Sequence, residues 1–212
     1  IGKEKKIFMQ EGWHYELTEP DGELTYNGVV YNEMKGAFSS PESVLDRHIK
    51  AVMFPDTCYA FESGGDPEEI TALTYEDYLA FYNKYYHPSN SYIYLYGDMD
   101  FAEKLEWMDK EYLGKYDRQE IDSEIQIQKA FEEPIEKEIF YSVSETESLE
   151  NATYLSVNTS AGNELSPKEY IAFQILEYVL LDTPGAPLKK ALLDAGIGDD
   201  IMGGYESGIL QP

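Results

Sequence analysis

The string Thr74-Tyr-Glu-Asp-Tyr-Leu-Ala-Phe-Tyr-Asn-Lys-Tyr-Tyr-His-Pro88, followed two residues later by Ser91-Tyr-Ile-Tyr-Leu-Tyr-Gly97, decides the fold class. The first part opens on a hydroxyl with the carboxylate of Asp77 three residues on, which is a helix start signal. Its Tyr75, Tyr78, Leu79, Tyr82, Tyr85 and Tyr86 recur at the 3.6-residue helical period. His87-Pro88 ends that helix, because proline disfavours helical backbone in the residue before it. The second part alternates Tyr92, Tyr94 and Tyr96 with Ile93 and Leu95, the two-residue period of a strand packed on both faces, and Gly97-Asp98 turns the chain out of it. Asp100 and Glu103 then start a helix with Phe101, Leu105, Met108 and Tyr112 on one face, and Gly114 suits a left-handed C-terminal cap. Helix, strand and helix in succession predict an α+β fold with antiparallel sheets flanked by helices.

Working outward toward the N-terminus, residues 55–73 hold Pro55, Ser63-Gly-Gly-Asp-Pro67 and an acidic pair, a run of turn formers that predicts a loop. Before it, Ser39-Ser-Pro-Glu42 places a hydroxyl ahead of proline and predicts a helix carrying Val44, Leu45, His48, Ile49 and Val52, stopped by Phe54-Pro55. Residues 31–38 predict another helix, weakened by Gly36 by about 1 kcal/mol relative to alanine. Toward the C-terminus, 117–137 is acidic and irregular and reads as an extended connection between two domains. Residues 138–143 and 153–159 read as an antiparallel strand pair. Ser166-Pro-Lys-Glu169 is a capping box that opens a helix to about Leu181, apolar at nearly every position and so expected to be covered on most sides. A short helix over 186–195 ends at Gly196.

The chain has 212 residues, enough to bury an ordinary hydrophobic core, and 42% hydrophobic with 14% aromatic residues is too apolar for a disordered chain. Sixteen Lys+Arg against 41 Asp+Glu leave a net charge of -25, which repels phosphate backbones and anionic membranes and argues against both as partners. The longest apolar runs are too short to cross a bilayer, and the single Cys58 cannot close an intramolecular bridge, which points to a reducing, cytoplasmic setting. Ile1-Gly-Lys-Glu-Lys-Lys6 has neither an initiator methionine nor the apolar centre of a signal peptide, so the stretch is expected to be internal to a longer protein.

Chemistry-bearing residues are sparse. His14, His48 and His87 are scattered and read as packed or capping side chains. The sequence contains no Cys-x-x-Cys, no Gly-x-Ser-x-Gly, no phosphate-binding glycine loop and neither His-Glu-x-x-His nor His-x-x-Glu-His. Asp98-Met-Asp100 lacks the other ligands and the glycine of a calcium loop. Asn151-Ala-Thr and Asn158-Thr-Ser match the glycosylation pattern by chance, given no secretory signal. From the residues alone there is no complete catalytic constellation, and Glu33 reads as a solvated helix residue.

Several strings nevertheless occur together and in order. Gln10-Glu-Gly-Trp-His-Tyr-Glu-Leu17, Asn27-Gly-Val-Val-Tyr-Asn-Glu-Met-Lys-Gly-Ala37, Ser63-Gly-Gly-Asp-Pro67, Leu73-Thr-Tyr-Glu76, Tyr85-Tyr-His-Pro-Ser-Asn90 and Leu188-Lys-Lys-Ala-Leu-Leu-Asp-Ala-Gly-Ile-Gly198 resemble the presequence-protease branch of the pitrilysin/insulinase superfamily of zinc peptidases. The resemblance implies parts of two metallopeptidase-like domains: 1–116 the latter part of the zinc-site domain, 117–137 the connection, and 138–212 the first part of a non-catalytic domain. It implies that Glu33 is the third, glutamate ligand of a zinc ion whose two histidines belong to a His-x-x-Glu-His helix. Three protein ligands leave zinc one position for water, whose pKa falls to about 7. That inverted motif occurs nowhere in the 212 residues. The intact parent is therefore expected to be a zinc metalloendopeptidase that degrades short unfolded peptides in a closed chamber, located in the cytoplasm or, in a eukaryote, an organelle lumen. This chain alone is expected to be inactive and without tightly held zinc, to partner the remainder of its own protein, and to self-associate. A peptidase-like module with a structural, docking or assembly role is the alternative.

Overall fold

A computed structural model describes residues 4–163 and 165–212. Its regular structure is mostly helical, with a small two-stranded antiparallel sheet. Helix α1 (Lys5–Glu11) leads into strand β1 (His14–Glu16), which pairs with β2 (Thr25–Asn27) so that His14 faces Asn27 and Tyr15 faces Tyr26. Helices α2 (Val29–Ala37) and α3 (Pro41–Met53) follow. Next come α4 (Pro67–Ile70), α5 (Tyr75–Tyr85), α6 (Phe101–Glu111), α7 (Pro167–Glu177), continued by one π-helical stretch over Tyr178–Asp182, and α8 (Pro187–Asp194).

The predicted caps are the ones that form. Ser40 Oγ accepts from Ser43 N at 3.2 Å at the start of α3. Thr74 and Asp77 make a reciprocal capping box on α5, and Ser166 and Glu169 make another on α7. Asp100 Oδ1 accepts from Glu103 N at 3.1 Å to start α6. Each depends on atoms within four residues of one another, so each was readable without the rest of the molecule.

Four expectations need correction. Residues 55–73 are not loop throughout: Asp66 caps α4, its Oδ1 accepting from Glu68 N at 2.9 Å, with Pro67 at the first helical position. Gly114 is not a left-handed cap; α6 ends at Tyr112 and Gly114 lies inside a 3-10 turn, Leu113–Lys115. The strand expected over 91–97 is extended chain without a ladder, with Tyr92 106% and Tyr94 86% exposed. The pair expected from 138–143 and 153–159 also forms no ladder, although Tyr141 and Tyr154 meet edge to face at 5.7 Å and the Tyr141 hydroxyl donates to Ala152 O. An alternating sequence only makes a segment competent to pair; the hydrogen bonds must come from a neighbouring strand. Among the described residues no such neighbour lies beside these segments.

The apolar interior is correspondingly small. Phe8, Phe54, Ile70 and Ala186 are the buried apolar residues among those described. Phe8 is held between Tyr75 and Tyr78, with ring centroids 5.6 and 5.4 Å away, so α1 docks on the start of α5. The apolar helix α7, expected to be covered, leaves Ile171 and Ile175 exposed. The solvent-accessible area is 17167 Å² for 24.3 kDa. A compact monomer of that mass exposes roughly 10,000 Å².

Polar clasps join distant parts. Gln128 N donates to Gln211 Oε1 at 2.7 Å, and Gln211 Nε2 returns a bond to Gln128 O at 3.0 Å. The Gln128 side chain accepts from Asp56 N and donates to Asp56 Oδ2, both at 2.9 Å. Residues 117–137, irregular as read from the sequence, are thus pinned at Gln128 to both the chain after α3 and the C-terminal segment.

Candidate functional site

Glu33 lies at the middle of α2 and is exposed. Among the described residues its carboxylate makes no hydrogen bond or ion pair. What is well fixed is the backbone that carries it. Gly28 precedes α2 at φ +151°, and a Cβ there would lie 2.2 Å from Gly12 O. Only glycine permits that approach, and it lets Gly12 O accept from Tyr31 N at 3.3 Å, satisfying an amide of the helix's first turn. The Asn27 side chain spans three elements. Its Nδ2 donates to Glu16 Oε2 on β1 at 2.8 Å, and its Oδ1 accepts from Gly28 N and from Asn32 Nδ2, each at 2.7 Å. Asn32 is the residue next to Glu33.

An aromatic group flanks this clasp. Tyr15 and Tyr26 face each other across the sheet with centroids 5.2 Å apart, Trp13 meets both edge-on at 5.5 and 5.9 Å, and Tyr31 on α2 lies 5.9 Å from Tyr26. The hydrogen bond with Tyr26 raises the pKa of the Tyr15 phenol above its ordinary value. Trp13 Nε1 donates to Leu73 O at 2.9 Å, tying the sheet to the entry of α5. Tyr26, Tyr31 and Asn32 therefore all lie around the start of the helix that bears Glu33.

The histidines have local duties. His14 Nδ1 donates to Met9 O and His48 Nδ1 to Val44 O, both at 2.8 Å. His87 Nδ1 accepts from Ser89 N at 3.1 Å and caps the short turn Pro88–Asn90. The structure does not bring any of them together with Glu33 into a ligand set. Among the described residues no group of three or more His, Cys, Asp or Glu side chains is placed to hold a metal ion. A free, exposed carboxylate on a braced helix has the donor chemistry of one ligand and supplies one only.

Asn27, Gly28 and Glu16 were not singled out in the sequence. The available signal was the Asn-Gly pair directly ahead of an apolar run, a dipeptide that marks a chain reversal. Its partner Glu16 is 11 residues away and could be found only in space. No helix among the described residues is long and apolar enough to cross a membrane.

Comparison with known proteins places these observations in a family. A family model described as "Peptidase M16 inactive domain" matches residues 72–211. The chain is 51% identical over 211 residues to Protein HypA of Clostridium perfringens, covering 100% of this chain and 22% of that protein. It is 38% identical over 209 residues to Presequence protease 1, chloroplastic/mitochondrial, of Arabidopsis thaliana, covering 97% and 19% respectively. It is 33% identical over 197 residues to Presequence protease, mitochondrial, of Xenopus laevis, covering 91% and 19%. The chain thus spans about a fifth of the length of the curated relatives it matches. On the extent of the family match and the run of presequence-protease relatives, the chain belongs to the peptidase M16 (pitrilysin/insulinase) family and is presequence-protease-like within it.

Proposed function

We propose that this chain is part of a zinc metalloendopeptidase that degrades short unfolded peptides in a closed chamber, and that Glu33 is one of the zinc ligands. The observation that carries the reading is the free carboxylate of Glu33 on a helix whose start is locked by Gly28 and Asn27. In the proposed division, 1–116 belongs to the zinc-site domain, 117–137 is the connection and 138–212 begins the second domain. The two imidazole ligands come from a His-x-x-Glu-His helix outside these 212 residues. Bound zinc supplies Lewis-acid activation of water and of the scissile carbonyl; the part of this chain is to hold a ligand in place. The names of the plant and animal relatives support presequence-like peptides as substrates and an organelle lumen as the location in a eukaryote, with the cytoplasm as the location otherwise. An acidic chain of net charge -25 suits basic peptides.

The test is zinc content and peptide cleavage in the full-length gene product. Stoichiometric zinc and turnover, both lost in Glu33→Gln, are expected; cleavage that survives this substitution overturns the ligand reading. The 212-residue chain by itself is expected to hydrolyse nothing and to hold no zinc tightly. The description of the family model over 72–211 as an inactive domain favours a second reading, a module that supplies chamber wall or docking surface without chemistry. A full-length product free of zinc and turnover would select it.

A further inference from the structure

We infer that Asn27 is a positioning residue for Glu33, acting through Asn32 and braced from behind by Glu16. This rests on the ligand reading of Glu33 above and adds what holds that ligand in register.

Helix α2 begins at Gly28 without any side-chain cap on its first turn. Its orientation is set instead by contacts reaching in from other elements. Gly12 O takes the amide of Tyr31, and the Asn27 amide group takes the Gly28 N–H and the Asn32 side chain. Both ends of that amide are used, because Asn27 Nδ2 donates to Glu16 Oε2 across the sheet. Asn27 is half-buried and Gly28 buried. The carbonyl end of Asn27 grips the helix at its entry and one turn into it. The amide end is anchored to a charged acceptor on the opposite strand, and hydrogen bonds to charged groups are stronger than neutral ones. Such a clasp resists rotation of α2 about its axis. A ligand tolerates only about 0.5 Å or 10–20° of misplacement before its coordination suffers, so rotational control of α2 is what a ligand on that helix needs.

The bond between Asn27 and Glu16 has a polarity that can be reversed. Asn27→Asp keeps an acceptor for Gly28 N and Asn32 Nδ2 but sets a second carboxylate against Glu16. Adding Glu16→Gln replaces the repulsion with a Gln donor facing an Asp acceptor. In the full-length gene product, the zinc dissociation constant is measured by competition with a chromophoric chelator, coordination geometry by the absorption bands of the cobalt(II)-substituted protein, and stability by urea unfolding. Asn27→Asp and Asn32→Ala are each expected to weaken zinc binding about 10–100-fold and to alter the cobalt spectrum, while Glu16→Gln with Asn27→Asp restores both. Asn32→Ala touches only an exposed side chain, so it tests the link even where Asn27→Asp fails to fold. If Glu33→Gln loses zinc but Asn32→Ala keeps wild-type affinity and spectrum, or if the reversed pair rescues urea stability without zinc affinity, the positioning role is wrong and the ligand reading stands. If Glu33→Gln itself leaves zinc affinity unchanged, both fall.

Discussion

Gly28 and Gln128 are the residues whose replacement the structure prices most clearly. Gly28→Ala must relieve a Cβ 2.2 Å from Gly12 O and also abandon φ +151°. The expected loss is about 2 kcal/mol or more, seen as a lowered urea midpoint in the full-length protein; an unchanged midpoint would show that β1 and α2 do not meet this way. Gln128 is 5% exposed and its side chain serves both the amide and the carboxylate of Asp56. Gln128→Ala strands the Asp56 amide and is expected to destabilise by about 1–3 kcal/mol in the same assay, whereas Gln126→Ala, at a neighbouring exposed position, is expected to be near neutral. At this scale sequence reading went only part of the way. The helical placement of Glu33 and the local roles of the three histidines were legible, because both follow from near neighbours. Asn27 was not, since its meaning lies in Glu16 and Asn32 and not in its own chemistry.

Among the elements, the two capping boxes are the most exposed to a direct test. Ser166→Ala and Thr74→Ala each remove an acceptor for a first-turn amide and are expected to cost about 1 kcal/mol, read as faster amide exchange at Glu169 and Asp77 respectively. The α7 box also depends on pH. The Ser166 backbone N–H, at 2.7 Å, and then its hydroxyl, hold the Glu169 carboxyl below the usual carboxylate range. A carboxyl depressed in the folded state contributes fully above its unfolded pKa, and the contribution is lost as pH falls through the lowered value. Protection of the α7 first turn should therefore be flat at neutral pH and decline only in acid, and Glu169→Gln should remove that acid limb. A profile that declined with rising pH would contradict the geometry. The helices were legible because capping and the 3.6-residue stripe are short-range. The strands expected over 91–97, 138–143 and 153–159 were not decidable this way, because alternation names a face and never a partner.

For the whole molecule, the decisive quantity is surface. An area of 17167 Å² lies well above the roughly 10,000 Å² of a compact monomer of this mass, and extended segments such as 91–97 present unpaired backbone with aromatic side chains in the open. Such edges pair with other chains. The 212-residue chain on its own is expected to self-associate, with Tyr92→Lys and Tyr94→Lys reducing the association; light scattering that shows a stable monomer at high concentration would refute this. In the full-length protein the same faces are proposed to be covered by the rest of the polypeptide. By itself, the order of amino acids determined the capped helices, the acidic character, the family kinship and the placement of Glu33 on a helix, all properties carried by residues within a few positions of each other. Only the tertiary structure decided that β1 and β2 pair, that Gly28 abuts Gly12 and that Asn27 ties Glu16 to Asn32. It also decided that the tyrosine-rich segment runs extended without a ladder. The reason is that hydrogen-bond partners and close approaches between distant residues are supplied by the folded chain around a segment and are not encoded within it.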